Sequence, residues 1–240
     1  MCGRFTQQRP TAELAELFDA LPTPAAAEAA DASEAHYNVA PTQQVRVVVK
    51  PEADQPRRVE EYRWGLVPSW AKSLAVGSKM INARAETVAT SGAFKRSLAN
   101  KRCIVPADAF YEWLRQEDGP NQPYLIRRRD GLPLAFAGLW SAWHDDTNDL
   151  WLRSCTIITT RANELMARIH DRMPVVLAAE DWARWLDPQD HDTADLQHLL
   201  VPSPAADLEA YPISTAVNSP RNKGPELIRP IEGEVLRASA

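Results

Sequence analysis

The chain has 240 residues, of which 45% are hydrophobic and 25% charged, with a formal net charge of −5. That length and composition are those of a soluble globular protein, one large domain or two small ones, with enough apolar material for a substantial core. No long uninterrupted apolar run is present, which excludes a membrane-spanning helix, and the acidic balance argues against strong non-specific duplex binding.

In chain order, residues 11–21 place Leu14, Leu17, Phe18 and Leu21 on one helical face, with Thr11 at the N-cap position. Residues 22–35 are rich in alanine and proline and read as an exposed loop. Residues 45–49 form a short apolar strand, residues 62–68 and 80–84 are strand-and-turn segments, and residues 94–98 a short helix. Four β-like runs follow at 103–105, 110–114, 124–128 and 134–143. Asp118-Gly119-Pro120 and Asp130-Gly131 punctuate them, which suits antiparallel neighbours. Residues 150–159 continue as strand, 162–169 as helix, 182–186 and 194–200 as acidic helices, and the last strand lies near 211–214. Strands without regular helical crossovers indicate an α+β fold. The expectation is a single domain over residues 2–230, built on a strongly curved, largely antiparallel, barrel-like sheet flanked by helices. A flexible tail is expected over 231–240.

The charge is unevenly spread. Twelve of the 27 Lys/Arg but only five of the 32 Asp/Glu fall between residues 63 and 129, whereas residues 180–209 carry eight carboxylates and a single arginine, Arg184. A basic middle is either a phosphate footprint or a solvated charged face, and counting does not choose between them. Arg127-Arg128-Arg129 before Asp130-Gly131 equally reads as the end of a strand entering a turn.

No basic-then-apolar leader opens the chain, so a cytoplasmic location is expected, with nucleoid association in a bacterium. Three cysteines without close pairing fit a reducing compartment, and no Cys/His group has metal-ligand spacing, so neither metal nor cofactor is expected. Cys103 and Cys155 sit in apolar strand sequences and read as inert core residues. Cys2 differs by its position behind Met1. Removal of Met1 exposes an α-amine and a thiol on adjacent carbons, with ordinary pKa values of ~7.7–8.0 and ~8.5. Such a 1,2-aminothiol condenses with an aldehyde, the amine forming an imine and the sulfur closing a thiazolidine. Arg4 nearby is expected to favour the thiolate. The bland alternative is that Cys2 packs as a small hydrophobe.

Asn82, Arg84 and Glu86 alternate, so in extended chain their side chains share a face. Glu112, flanked by aromatics in Phe110-Tyr111-Glu112-Trp113, is either ion-paired or held at a raised pKa for proton transfer. His170 enters a proline-limited turn beside Asp171 and Arg172, a setting for a functional loop residue as much as for a surface histidine.

Eight ordered motifs carry a family resemblance. They are Met1-Cys2-Gly3-Arg4-Phe5, Asn38-Val39-Ala40-Pro41, the run from Trp64 through Trp70, the run from Ile81 through Thr87, and Cys103-Ile104-Val105-Pro106-Ala107-Asp108. Phe110-Tyr111-Glu112-Trp113, Ile169-His170-Asp171-Arg172-Met173-Pro174 and the run from Val217 through Ile228 complete the set. The chain resembles the SRAP (SOS response-associated peptidase) family from Cys2 to about Pro230. The resemblance implies a protein that shields abasic sites in single-stranded DNA through a thiazolidine crosslink to its N-terminal cysteine. It implies catalytic roles for Cys2, Asn82, Glu112 and His170, and DNA contacts by Arg4, Pro41, Trp70, Arg84, Phe94, Thr159 and Arg172, with Trp113 a further stacking candidate. The implied partner is abasic single-stranded DNA, bound by a monomer without metal, cofactor or membrane. Two other readings stay open: a cysteine-dependent peptidase that releases Met1, and a non-covalent reader of single-stranded or modified DNA. Ala109 stands where the family has glycine, a strained substitution if that position needs a positive φ.

Overall fold

The computed structural model describes residues 2–22 and 35–238. Met1 and nearly all of the Ala/Pro-rich stretch expected as a loop lie outside the described residues.

In chain order the strands are β1 (Phe5–Gln7), β2 (Ala20–Pro22), β3 (His36–Val39), β4 (Gln44–Val49), β5 (Arg57–Trp64), β6 (Asn82–Arg84) and β7 (Arg102–Ala107). They continue as β8 (Ala109–Leu114), β9 (Gln122–Arg128), β10 (Leu134–Asp145), β11 (Leu150–Arg161), β12 (Arg172–Pro174), β13 (Leu208–Pro212) and β14 (Leu236–Arg237). The helices are α1 (Thr11–Leu17), α2 (Lys95–Asn100), α3 (Trp182–Leu186) and α4 (Thr193–Gln197).

Strands β11, β10, β7, β4 and β5 are successive neighbours, and β5 returns to β11 by a parallel pairing of Arg63 with Ser154 and Trp64 with Cys155. This closes a five-stranded barrel, which removes the free edges an open sheet would leave. A second sheet, in the order β14-β13-β9-β8-β1-β3, is antiparallel throughout. With so few helices this is the single-domain α+β architecture expected.

Alternation along the strands divides the core. Val45, Val47 and Val49 of β4, Tyr62 and Trp64 of β5, Cys103 and Val105 of β7, and Cys155 and Ile157 of β11 fill one cluster together with Cys2 and Phe5. The opposite faces present Val48, Val59, Ile104 and Ile158 to Leu14, Phe18, Leu98 and Trp185 from the helical segments. Each such side chain contributes roughly 1.5–3 kcal/mol on burial. Cys103 and Cys155 are fully buried, and burial pushes both thiols up.

Several local expectations need correction. The first helix ends at Leu17 and not at residue 21. Asp19 takes a positive φ of 48°, and Ala20–Pro22 pairs in parallel with Arg57, Arg58 and Val59. Its cap is Pro10 rather than Thr11, which is the first helical residue and is buried. Residues 162–169 hold only a 3-10 turn at Met166–Arg168. Asn163 closes that turn by accepting from the Met166 N–H at 2.9 Å, and the chain must then return so that Arg172 can pair with Arg161. The second acidic helix is confined to Thr193–Gln197, capped by Asp192, and the strand expected near 211–214 is Leu208–Pro212. The tail contributes β14, because Leu236 fills the barrel-side cluster and Arg237 meets the Glu209 carboxylate at 2.9 Å.

One turn sets up the site. After β5, Gly65 adopts φ 117°, its N–H donating to the Cys155 carbonyl at 2.8 Å, and Leu66 N–H donates to the Met80 carbonyl at 3.1 Å. A Cβ on Gly65 would lie 2.5 Å from the Gly77 oxygen, so only glycine permits this approach. The folded-back segment lays β6 alongside β11, with Asn82 opposite Ile157 and Arg84 opposite Thr159.

Candidate active site at the head of the first strand

Cys2 lies just ahead of β1, which is held between two strands: Phe5 pairs with Phe110 and with Val39, and Tyr111 N–H donates to the Arg4 carbonyl at 3.0 Å. Phe5 is locked below by an edge-to-face contact with Trp64, ring centroids 4.9 Å apart. The second residue is therefore delivered to a fixed place, where it has no exposed surface.

Asn82 reaches it from the barrel side, its Nδ2 donating to the Cys2 carbonyl at 2.8 Å. A carbonyl can only accept, so the amide NH2 must face it. The Asn82 Oδ1 is left buried and, among the described residues, without a hydrogen-bond partner. Unsatisfied acceptors of this kind are rare in folded interiors.

Glu112 is buried on β8, and burial pushes its carboxyl above the usual range, held back by nearby positive charge that includes His170. The Cys2 thiol is raised by burial and then by Glu112, with the Arg4 backbone N–H pulling the other way. This corrects the expectation that Arg4 draws Cys2 toward thiolate. The Arg4 guanidinium instead donates to Asn38 Oδ1 at 2.7 Å and to the Val217 carbonyl at 2.8 Å. The pocket favours a neutral thiol beside a readily protonated carboxyl.

His170 Nδ1 accepts from the Arg172 N–H at 3.0 Å, and the exposed Asp171 carboxylate lies 2.8 Å from the same nitrogen. The neutral ring accepts from the backbone and the protonated ring donates to Asp171, so each protonation state has a local partner. Arg172 sends its guanidinium to Glu86 at 2.6 and 3.0 Å and to the Thr159 carbonyl at 2.7 Å, while its buried Nε has no partner among the described residues. Thr159 is buried on β11 opposite both Arg84 and Pro174. Arg84 is exposed, whereas Glu86 falls in the turn after β6 and not on the strand face it was expected to share.

Four candidates are thus neighbours: Asn82 bonds the Cys2 carbonyl, and Glu112 acts electrostatically on the Cys2 thiol and feels the charge of His170. Thr159, Arg84 and Arg172 are joined through β6, β11 and β12. The others have settings of their own. Trp70 is 64% exposed, Phe94 packs against the outer core cluster, and Trp113 Nε1 donates to Asn218 Oδ1 at 2.7 Å. Pro41 precedes Thr42, whose φ of 75° is an outlier for a β-branched residue. Ala109 is not among the residues with positive φ and lies in ordinary strand, so it carries no backbone strain. Two of the arginine triplet are ion-paired locally, Arg127 with Glu209 and Arg128 with Asp130, while Arg129 donates to the Ala206 carbonyl at 3.3 Å.

Asn38 had no role in the sequence reading. It is fully buried, accepts from Arg4, and turns its Nδ2 to the carbonyls of Val217, Ser219 and Asn222 at 3.3, 3.0 and 3.0 Å. Lys223 Nζ donates to its carbonyl at 3.0 Å. Asn38 therefore ties the start of the chain to the 217–223 loop. The available signal was an asparagine within a strand sequence, which must find partners if buried. Among the described residues no group of three or more His, Cys, Asp or Glu is placed to hold a metal, and no helix is long and apolar enough to cross a membrane.

Comparison with known proteins gives consistent matches. The family model for SOS response associated peptidase (SRAP) matches residues 1–220. The abasic site processing protein YoqW of Bacillus subtilis (strain 168) is 44% identical over 234 residues, covering 95% of this chain and 99% of that protein. The abasic site processing protein YedK of Escherichia coli (strain K12) is 31% identical over 234 residues, covering 96% and 100%. A crystal structure of a protein from Bacteroides thetaiotaomicron superposes with a TM-score of 0.85 at 25% identity, covering 96% of this chain and all of that one.

Proposed function

Since the chain belongs to the SOS response associated peptidase (SRAP) family, we propose that it processes abasic sites in DNA by capturing the ring-opened sugar aldehyde on Cys2 after Met1 is removed. The observation that carries this reading is the Asn82–Cys2 contact beside buried Glu112, in a chain similar over nearly its whole length to proteins named for abasic site processing.

The chemistry follows from the groups present. The freed amine of Cys2 adds to the aldehyde carbon, the carbinolamine loses water to give an imine, and the thiol adds to the imine carbon to close a thiazolidine. The balance is aldehyde plus aminothiol giving thiazolidine plus one water. Asn82 holds the residue-2 backbone through its NH2, and its Oδ1, unpartnered among the described residues, is suited to accept from the amine. Glu112, raised by burial, gives a proton to the leaving hydroxyl and takes one from the attacking sulfur. His170, supported in both protonation states, acts at the sugar hydroxyl as the ring opens. Arg84, Arg172 and Arg4 are the phosphate contacts. Trp70, Phe94 and Trp113 line the path of the bases, and Pro41 and Thr159 shape the cleft. The buried state of Cys2 requires that the aldehyde gain access in the chain lacking Met1.

A thiol pushed up by burial runs against a peptidase built on a thiolate–imidazole pair. The deciding experiment mixes mature protein with a single-stranded oligonucleotide bearing one abasic site, followed by denaturing gel and intact mass. The expected product equals the sum of the two masses less one water. No covalent product with wild type, or an equal yield with Cys2→Ala, overturns the reading.

A further inference from the structure

Trp151 is 72% exposed and Trp70 64%, an unusual state for two of the largest apolar side chains. Both line one groove of about 520 Å³, together with Lys95, Arg96, Lys101 and Ser141. Among the described residues no Asp or Glu lines it. The groove at the start of α1 differs: Arg9 is paired to Glu13 and Asp108, Arg127 to Glu209 and Arg128 to Asp130. Among the described residues Lys95 and Arg96 form no ion pair. The Lys101 ammonium lies 4.9 Å over the Trp140 ring, and its proton is loosened by burial and by the like charges of Arg96 and Arg153. Trp151 is braced by the His144 ring, centroids 4.9 Å apart, and His144 is itself engaged by Asp146 and Asp149 at 2.7 and 3.0 Å. The groove thus combines uncompensated positive charge with two aromatic surfaces, one of them propped in place. That is the recognition chemistry of a single strand: backbone phosphates for the cations and unpaired bases for the rings.

We infer that this groove binds a stretch of single-stranded DNA flanking the lesion, with Trp70 and Trp151 stacking on bases and Lys95 and Arg96 meeting phosphates. The inference rests on the abasic-site reading and extends it to a strand path that leaves the pocket at Trp70 and runs to Trp151. Phe94 immediately precedes Lys95 and caps α2, so the helix that presents the two cations is anchored in the core below.

The test compares a long single-stranded abasic oligonucleotide with one trimmed to a single neighbour on each side, using anisotropy for affinity and denaturing gels for crosslinking. Trp151→Ala is expected to weaken binding of the long strand roughly tenfold, the loss of one stacked base, and Trp151→Phe to restore most of it. The double variant Lys95→Ala, Arg96→Ala is expected to lower the salt slope by about 0.7 for each phosphate that is no longer neutralised. Crosslinking of the trimmed strand should be unchanged in all three. Long-strand affinity equal to wild type in the folded Trp151→Ala and double variants would overturn the groove assignment, as would an equal loss on duplex DNA, which offers no free base faces. If wild type crosslinks neither oligonucleotide yet the variants still lose long-strand affinity, the groove stands and the aldehyde-capture reading falls.

Discussion

The side-chain amide of Asn82 and the backbone carbonyl of Cys2 meet at 2.8 Å across the junction of the two sheets. Asn82 arrives on a strand paired to the barrel, and Cys2 on the lead-in to a strand of the six-stranded sheet. The contact adds to the bonds that Gln7 of β1 makes to the Arg46 and Pro106 carbonyls of the barrel, and it is the one that fixes residue 2 itself. Asn82→Ala should therefore slow crosslinking without weakening DNA binding. A net hydrogen bond of about 0.5–1.5 kcal/mol corresponds to a roughly two- to tenfold loss in rate. Asn82→Asp should be slower still, because a carboxylate has no donor for the carbonyl. Single-turnover gels alongside anisotropy separate the two quantities.

Glu112 carries the pH signature of the site. Its carboxyl is raised in the folded state by burial, so the protonated form is the one the fold prefers. Its contribution to stability is fully present below the ordinary carboxylate pKa and is lost as pH rises through the folded value, because the unfolded chain ionises first. Glu112→Gln cannot ionise. The difference in unfolding free energy between variant and wild type should thus move in favour of the variant as pH rises from acid to neutral. Urea melts at several pH values measure this, and a difference independent of pH would remove Glu112 as a strained proton carrier.

Arg172 is held by Glu86, whose carboxylate is half exposed, while the guanidinium is largely covered. The bidentate bond keeps Glu86 below its usual range. A phosphate that uses Arg172 has to compete with Glu86. Glu86→Gln should accordingly tighten single-stranded DNA, by no more than the ~1 kcal/mol such partly exposed pairs are worth. Arg172→Ala should weaken it. Equal affinity in both variants would place Arg172 in a structural role only.

Gly65 is the most sensitive backbone position in the site's scaffold. Its φ of 117° and the 2.5 Å distance a Cβ would have to the Gly77 oxygen make Gly65→Ala strained and overpacked at once. The backbone strain costs about 1–3 kcal/mol, and overpacking adds a similar amount. For a chain of this size the melting temperature should drop by at least about 5 °C. Crosslinking should suffer with it, because the turn positions β6 and so Asn82.

Much is legible from residue order. The strand succession from residue 103 to 159 and the α+β class follow from alternation and turn residues, since a strand's period of two and a glycine turn are local properties. The chemical types at Cys2, Asn82, Glu112 and His170 are visible in the same way, because reactivity belongs to the side chain. Barrel closure is not visible, because it depends on Trp64 meeting Cys155 across 91 positions of chain. The first helix stops at Leu17 because residues 20–22 are claimed by a strand encoded far downstream. The ionisation of Cys2 is misread from residue order for a related reason: Arg4 is its neighbour in sequence, yet Asn38 and the Val217 carbonyl take the guanidinium. Sequence neighbours set what each group can do. Burial and long-range partners set its charge, and both come into being only when distant segments pack.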